Sequence, residues 1–194
     1  MKLDTLARTA GITLIAMTLA GCHSRCDNAC DSGPPDEDTG PEVLALFSKS
    51  FDDGEQIPVS FSCDGDDLSP RMYWAGIPAE VASWALIMID MDASDTPHWA
   101  IYDLPADTSW LAEGASPGGV QPAGVIELTN FRGTVGYAGP CPPAEHHYRF
   151  TLYALGENSL GVSSDASFGD LEAAAQAVLI DSVSMTGVYG GERP

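Results

Sequence analysis

The chain has 194 residues, 44% of them hydrophobic, enough for one folded domain with a substantial core and some additional segments. Fourteen prolines and 20 glycines favour many turns over long helices. With 28 acidic against 8 basic residues the formal net charge is −20, which excludes nucleic acid as a partner, is expected to repel anionic headgroups and favours solubility.

The first segment is a targeting signal. Lys2 and Arg8 precede the apolar run Ala10–Ala20, "AGITLIAMTLA". That run is shorter than the roughly 20 residues of a membrane span and has the form of a signal-peptide core. It ends in Leu19-Ala20-Gly21-Cys22, which resembles the bacterial lipoprotein box. The resemblance implies cleavage before Cys22 and acylation of its thiol; a secretory signal with an incidental cysteine is the alternative. Several acyl chains on one residue give stable anchoring, whereas one is marginal. His23 stands where an aspartate would signal inner-membrane retention, so the resemblance implies a cell-envelope lipoprotein, of the outer membrane or facing the periplasm. The mature chain then has 6 basic and 27 acidic residues. The expected organisation is a signal peptide over 1–21, a lipidated cysteine and acidic tether over 22–42, and a globular domain over 43–194. The tether, "HSRCDNACDSGPPDEDTGPE" over 23–42, has too little apolar surface to order itself and is expected to hold the domain off the membrane; a structured N-terminal extension is the alternative.

Five cysteines fit an oxidising compartment. With Cys22 acylated, Cys26, Cys30, Cys63 and Cys141 allow three pairings. The favoured one joins Cys63 to Cys141 in the globular part and Cys26 to Cys30 in the leader. A thiol metal site is the alternative, without the paired Cys-x-x-Cys spacing such sites use.

Short runs bounded by turn signals predict strands at Val43–Ser48, Val59–Cys63, Trp84–Asp90, His98–Leu104, Gly124–Thr129, Tyr148–Leu155 and Ser182–Gly190. One helix is predicted within "SFGDLEAAAQAVLID", residues 167–181. Ser167 is its N-cap, Asp170 lies three residues on, and Leu171, Ala174, Ala175 and Val178 recur at helical spacing. Strands with a late helix predict a mainly β fold, a sandwich with peripheral helices. No internal repeat and no second apolar span is present.

Two stretches carry chemistry. In "WALIMIDMD" (84–92), Leu86, Met88, Asp90 and Asp92 share one strand face and Ala85, Ile87, Ile89 and Met91 the other. Both faces are apolar until Asp90, which predicts a central strand covered on both sides. A carboxylate entering that environment is costly unless paired, although a solvated strand end would read the same way. In "GYAGPCPPAEHHYRFTLYAL" (136–155), a stiff Gly-Pro loop leads into a strand with His146, Tyr148, Phe150 and Leu152 on one face. Alone, that pair fits a core histidine beside a structural tyrosine as well as a pocket.

Taken together, these stretches resemble the phosphatidylethanolamine-binding proteins, and most closely the bacterial Raf-kinase-inhibitor-like branch of the YbhB/YbcL type. Asp90-x-Asp92-Ala93 followed by His98-Trp99 resembles the family's first block, and "GPCPPAEHHYRFTLYAL" (139–155) its second. "FSCDGDDLSPRMYW" (61–74), "NFRGTVGYAGPCPP" (130–143) and "GVYG" (187–190) match further segments in order, so the resemblance runs from about Phe51 to Tyr189. It implies a large sheet packed on a smaller one, helices beside them including one near the C-terminus, and a small pocket for phosphate-like anions. By motif position Asp90, His98, His146 and Tyr148 would line that pocket, Asp92 would brace the strand end, and Gly139 and Pro140 would belong to its wall. Asp90 is expected to hold His98 or His146 by a hydrogen bond. The sequence departs from the pattern at Met91 and Ser94, where prolines are usual. The loop Ser94–Pro97 is short and lacks an aromatic before His98, which predicts a more open mouth. Arg132 and Phe131 exchange the usual aromatic position; Arg132 is expected to be a solvated surface residue, with a new cation at the pocket rim as the alternative, and His147 to face outward.

The expected function is a lipid-anchored binding protein for a small anionic or phosphorylated ligand, such as a phospholipid headgroup. No cofactor is expected, and any partner protein it modulates is not named by the sequence. The alternatives are an acid/base hydrolase using Asp90, Asp92, His98 and His146, and a metal-dependent enzyme built on the same groups. No nucleophile elbow or phosphate-cradling glycine loop is present, and Ser69 in "LSPR" reads as a turn residue.

Overall fold

The computed structural model describes residues 43–191; Cys22, Cys26, Cys30 and the segments predicted over 1–42 lie outside them. The strands are β1 (Ala45–Ser48), β2 (Met72–Ala75), β3 (Ser83–Asp90), β4 (Thr96–Pro105), β5 (Trp110–Leu111), β6 (Ile126–Glu127), β7 (His146–Leu155) and β8 (Leu179–Tyr189), with a helix α1 (Phe168–Ala177) between the last two. They form a five-stranded sheet in the order β6-β4-β3-β7-β8 and a three-stranded sheet in the order β1-β2-β5. All the pairings between these strands are antiparallel. This is the mainly β, two-sheet architecture that the strand spacing predicts.

β3 is the middle strand of the large sheet, and its alternation divides the core in two. Trp84, Leu86 and Met88 pack against Trp74, Phe150 and Leu152 in one cluster, between the sheets. Ala85 and Ile87 point the other way and join Ala100, Tyr102, Leu171 and Ala175 beneath α1. A strand buried on both faces has no room for a polar residue until it leaves the sheet, and β3 ends at Asp90.

α1 begins as expected, with a reciprocal capping box between Ser167 and Asp170. It ends at Ala177, however, short of the predicted 181: Leu179 and Ile180 already belong to β8, which pairs with β7 along its length. β-branched and bulky residues there gain more from the sheet than from another helical turn. The strand predicted at Val59–Cys63 is a single turn of 3-10 helix at Val59–Phe61. Pro58 sets its entry, and the Ser62 hydroxyl closes it on the Val59 carbonyl at 2.8 Å. Its alternation arose from one exposed valine and one buried phenylalanine. The run Gly124–Thr129 contributes only Ile126–Glu127, and β2 and β5 are strands that the turn signals did not predict. Among the described residues, no helix is long and apolar enough to cross a membrane.

Two features fix the end of the sandwich where β3 stops. Gly187 of β8 lies opposite Tyr148, and a Cβ there would come within 2.5 Å of Ile57 and 2.8 Å of Phe51. Cys63 and Cys141 form a disulfide across 78 residues of chain. It ties the segment after the 3-10 turn to the loop before β7, and the Cys63 N–H donates to the Pro140 carbonyl at 3.0 Å beside it. A cross-link closing a loop of this length restricts the unfolded chain strongly. Replacing both cysteines with serine is expected to lower unfolding free energy by about 2–5 kcal/mol, measured by chemical denaturation against the oxidised wild type; equal midpoints would refute it.

Candidate functional site

At the C-terminal end of β3, Asp90 pairs in register with Thr96 of β4 on one side and Tyr148 of β7 on the other. These three strand ends surround a pocket of about 470 Å³, lined by Asp90, Ala93, Thr96, His98, Phe131, Arg132, Cys141, Pro142, Pro143, His146 and Tyr148. Asp90 is 4% exposed. Its burial is compensated by two hydrogen bonds: the Asp92 N–H donates to one oxygen at 3.0 Å and His146 Nδ1 to the other at 2.8 Å. That bond places the His146 proton on Nδ1 and leaves Nε2 as the free nitrogen of the ring. Of the two histidines proposed for Asp90 from the sequence, it is therefore His146 that the carboxylate holds.

His98 is held differently. Its Nδ1 donates to the Ala138 carbonyl at 2.6 Å, so Nε2 of the neutral ring is an acceptor. Burial pushes its pKa below the ordinary 6.5, against the opposing pull of that carbonyl and of Asp90. Phe131 packs on the ring at 4.6 Å between centroids, and Tyr148 meets it edge-on at 5.1 Å. The aromatic missing before His98 in the sequence is thus supplied from the chain after Asn130, and the expected wider mouth is partly covered by Phe131.

Tyr148 is fully buried, and its hydroxyl makes no hydrogen bond of normal geometry to the protein. The only other buried side-chain polar atom without a partner among the described residues is Trp74 Nε1. Burial, then the charge of Asp90 and its pull on the hydroxyl proton, push the Tyr148 pKa well above its usual 10, so the hydroxyl keeps its proton.

Arg132 is an exposed residue, as expected, but it also stands at the rim of the pocket, the alternative reading from the sequence. Its guanidinium pairs with Asp67, donates to the Gly139 carbonyl at 2.7 Å and lines the pocket. Asp67 in turn accepts the Gly139 N–H at 2.7 Å. Gly139 and Pro140 therefore stand behind the wall rather than on it, and Cys141, Pro142 and Pro143 form the surface. Gly139 has no space for a side chain: a Cβ would lie 2.5 Å from the Phe61 carbonyl and 2.6 Å from Asp67. The pairing of Arg132 with Asp67 was not foreseen because the two lie 65 residues apart, a separation that no local pattern records.

Asp92 also lies outside the lining. It accepts from the backbone N–H of His147 at 2.7 Å and from its Nδ1 at 2.9 Å. Those bonds, the backbone one first, hold its carboxyl below the usual range. His147 faces outward, as its phase predicts. Ser69 is fully buried, accepts the Ser116 N–H on its hydroxyl at 3.0 Å and lies outside the pocket. Among the described residues, no group of three or more His, Cys, Asp or Glu is placed to hold a metal ion.

The sequence profile of the phosphatidylethanolamine-binding protein family matches residues 47–190. The chain belongs to this family. It is 37% identical over 155 residues to a UPF0098 protein of Aquifex aeolicus, covering 77% of this chain and 90% of that protein. It is also 37% identical over 162 residues to a Mycobacterium tuberculosis protein named "Putative lipoprotein LppC", covering 76% and 77%. Among solved structures, that of E. coli YbcL, described as a new member of the mammalian PEBP family, superposes with a TM-score of 0.73 at 30% identity over 77% of this chain and 99% of that one. Family membership places this chain in the YbcL-like bacterial branch and accounts for the two-sheet fold.

Because burial depresses the His98 pKa below 6.5, an unfolded chain binds a proton that the folded one refuses once pH falls below that value. Stability therefore rises with pH through this window and is lost on acidification. Wild type is expected to lose more unfolding free energy than His98→Gln between about pH 7.5 and about pH 5, measured by denaturant titration; parallel losses would show that His98 is not the group responsible.

Proposed function

We propose that this family member is a lipid-anchored, non-catalytic binding protein of the bacterial cell envelope, whose pocket takes a small ligand carrying a phosphate group. The observation that carries this reading is the buried Tyr148 hydroxyl, which has no well-formed hydrogen bond and only the nearby Asp90 carboxylate to interact with, beside the Asp90–His146 pair. A buried polar group without a partner costs about 1–3 kcal/mol, and a ligand oxygen accepting from it removes that cost. Arg132 at the rim adds donors, the free His146 Nε2 faces the same space, and His98 Nε2 and Asp90 add acceptors. This mixture favours a ligand with anionic oxygens and a donor of its own, as a phosphorylated ethanolamine headgroup has. Asp92 serves the site indirectly by joining the turn after β3 to the start of β7.

The short range of these donors accounts for anion binding by an acidic chain, because distant surface charges are screened over about 10 Å. The Cys63–Cys141 disulfide, the lipoprotein-like Cys22 and the name of the mycobacterial relative all support an extracytoplasmic, anchored protein.

O-Phosphoethanolamine titrated into the full chain by calorimetry is expected to bind the wild type. Tyr148→Phe and His146→Ala should each weaken binding by about tenfold or more, the range for a hydrogen bond to a charged group. Unchanged affinity in both would reject the pocket assignment. Separately, Cys22→Ser is expected to move the protein from the membrane to the soluble fraction and abolish labelling by fatty acid; persistence of both would reject the anchor.

A further inference from the structure

The outer face of the small sheet is built unlike the rest of this acidic surface. The registers Phe47↔Tyr73 and Tyr73↔Trp110 set three aromatic side chains in one row across β1, β2 and β5. Their neighbours Leu46, Met72, Trp74 and Leu111 point inward and are buried. Phe47 is 39% and Trp110 52% exposed. Lys49 and Arg71 continue the same outward positions: the Lys49 ammonium lies 6.0 Å from the Tyr73 ring centroid, and the Arg71 guanidinium 5.1 Å from that of Trp110. These are two of the four Lys and Arg among the described residues. Asp52, Asp53 and Asp107 border the row, but no carboxylate stands in it. The outward face of a half-buried sheet ordinarily carries polar residues.

We propose that this face lies against the headgroup layer of the membrane that holds the chain's lipid anchor, a proposal that rests on the acylation of Cys22 put forward above. Trp, Tyr and Phe beside Lys and Arg match the chemistry of that layer, where amphipathic rings and cations sit at the boundary of apolar and charged material. The chain also enters the domain here. Val43 lies two residues before β1, and β1 itself carries Phe47. Only 20 residues, 23–42, separate Cys22 from the first described residue, Val43, at most roughly 70 Å of fully extended chain. The anchor thus holds the domain at the surface, where docking is intramolecular and a weak affinity suffices. The acidic remainder of the surface is repelled by anionic headgroups, and this favours the orientation that presents the aromatic row with Lys49 and Arg71. A glycan is the less suitable partner. The Phe47 and Tyr73 rings stack on each other at 5.1 Å and 22°, and cations cover Tyr73 and Trp110, so few ring faces are open to lie flat on a sugar.

Trp110 reports on this face by itself, because Trp74, Trp84 and Trp99 are at most 3% exposed. The full lipidated protein would be reconstituted in vesicles of phosphatidylethanolamine and phosphatidylglycerol containing a headgroup spin-labelled lipid. The expected result is loss of tryptophan emission that is absent in Trp110→Phe. In Lys49→Glu/Arg71→Glu the docked population should fall by roughly tenfold or more, with flotation unchanged. Protein that floats with Trp110 unquenched, or equally quenched in the double variant, overturns the docking face and leaves the anchor standing. Protein that does not float overturns the anchor and this proposal with it. Emission that responds to soluble peptidoglycan fragments but not to vesicles assigns the face to glycan and overturns the proposal.

Discussion

The hydrogen bond between the Asp90 carboxylate and His146 Nδ1, at 2.8 Å, is the constraint around which this end of the sandwich is organised. A carboxylate that is 4% exposed at the tip of a two-sided apolar strand needs partners. It draws one from the turn that follows it and one from the strand beside it. The first bond shapes the chain between β3 and β4, and the second fixes the ring orientation and tautomer of a histidine 56 positions away. Registers of β3 with β4 and β7 then bring Thr96 and Tyr148 alongside. The pocket is the space that remains when these strand ends satisfy Asp90.

A second network keeps the opposite wall in place. The guanidinium of Arg132 joins Asp67 to the Gly139 carbonyl, Asp67 takes the Gly139 N–H, and the disulfide fastens the next part of the same loop. These bonds converge on a loop whose prolines leave it few donors of its own. Rigidity here comes from cross-links to remote segments, and it allows Cys141, Pro142 and Pro143 to face the pocket as a fixed surface. The two histidines divide the chemistry: His146 is held by a carboxylate and sits at the opening, whereas His98 is buried, held by a carbonyl and kept neutral.

Membership of the phosphatidylethanolamine-binding protein family and this geometry converge on recognition of a small ligand. The proposed anchor and docking face add an address to that site. They place the pocket in a domain held at a membrane, near lipids whose headgroups have the chemistry that the pocket's donors and acceptors suit. The acidic composition is compatible with both, because it governs long-range behaviour while the pocket and the aromatic row act at contact distance.

Much of this was legible in the chain itself. Alternation placed Leu86 and Met88 opposite Ala85 and Ile87 and so made β3 a central strand; the capping box marked the start of α1; the ordered motifs placed Asp90, His98, His146 and Tyr148 together. Those are local patterns, written in side-chain period and turn chemistry. The same patterns misread Val59–Phe61, where two residues on opposite sides of a single turn imitate a strand. They also gave no sign that Asp90 would choose His146 over His98, that Arg132 would reach Asp67, or that Phe47, Tyr73 and Trp110 would form one row. Each of these depends on strand register or on contacts between segments far apart in the chain, and such distances are set only when the sheets close on their common core.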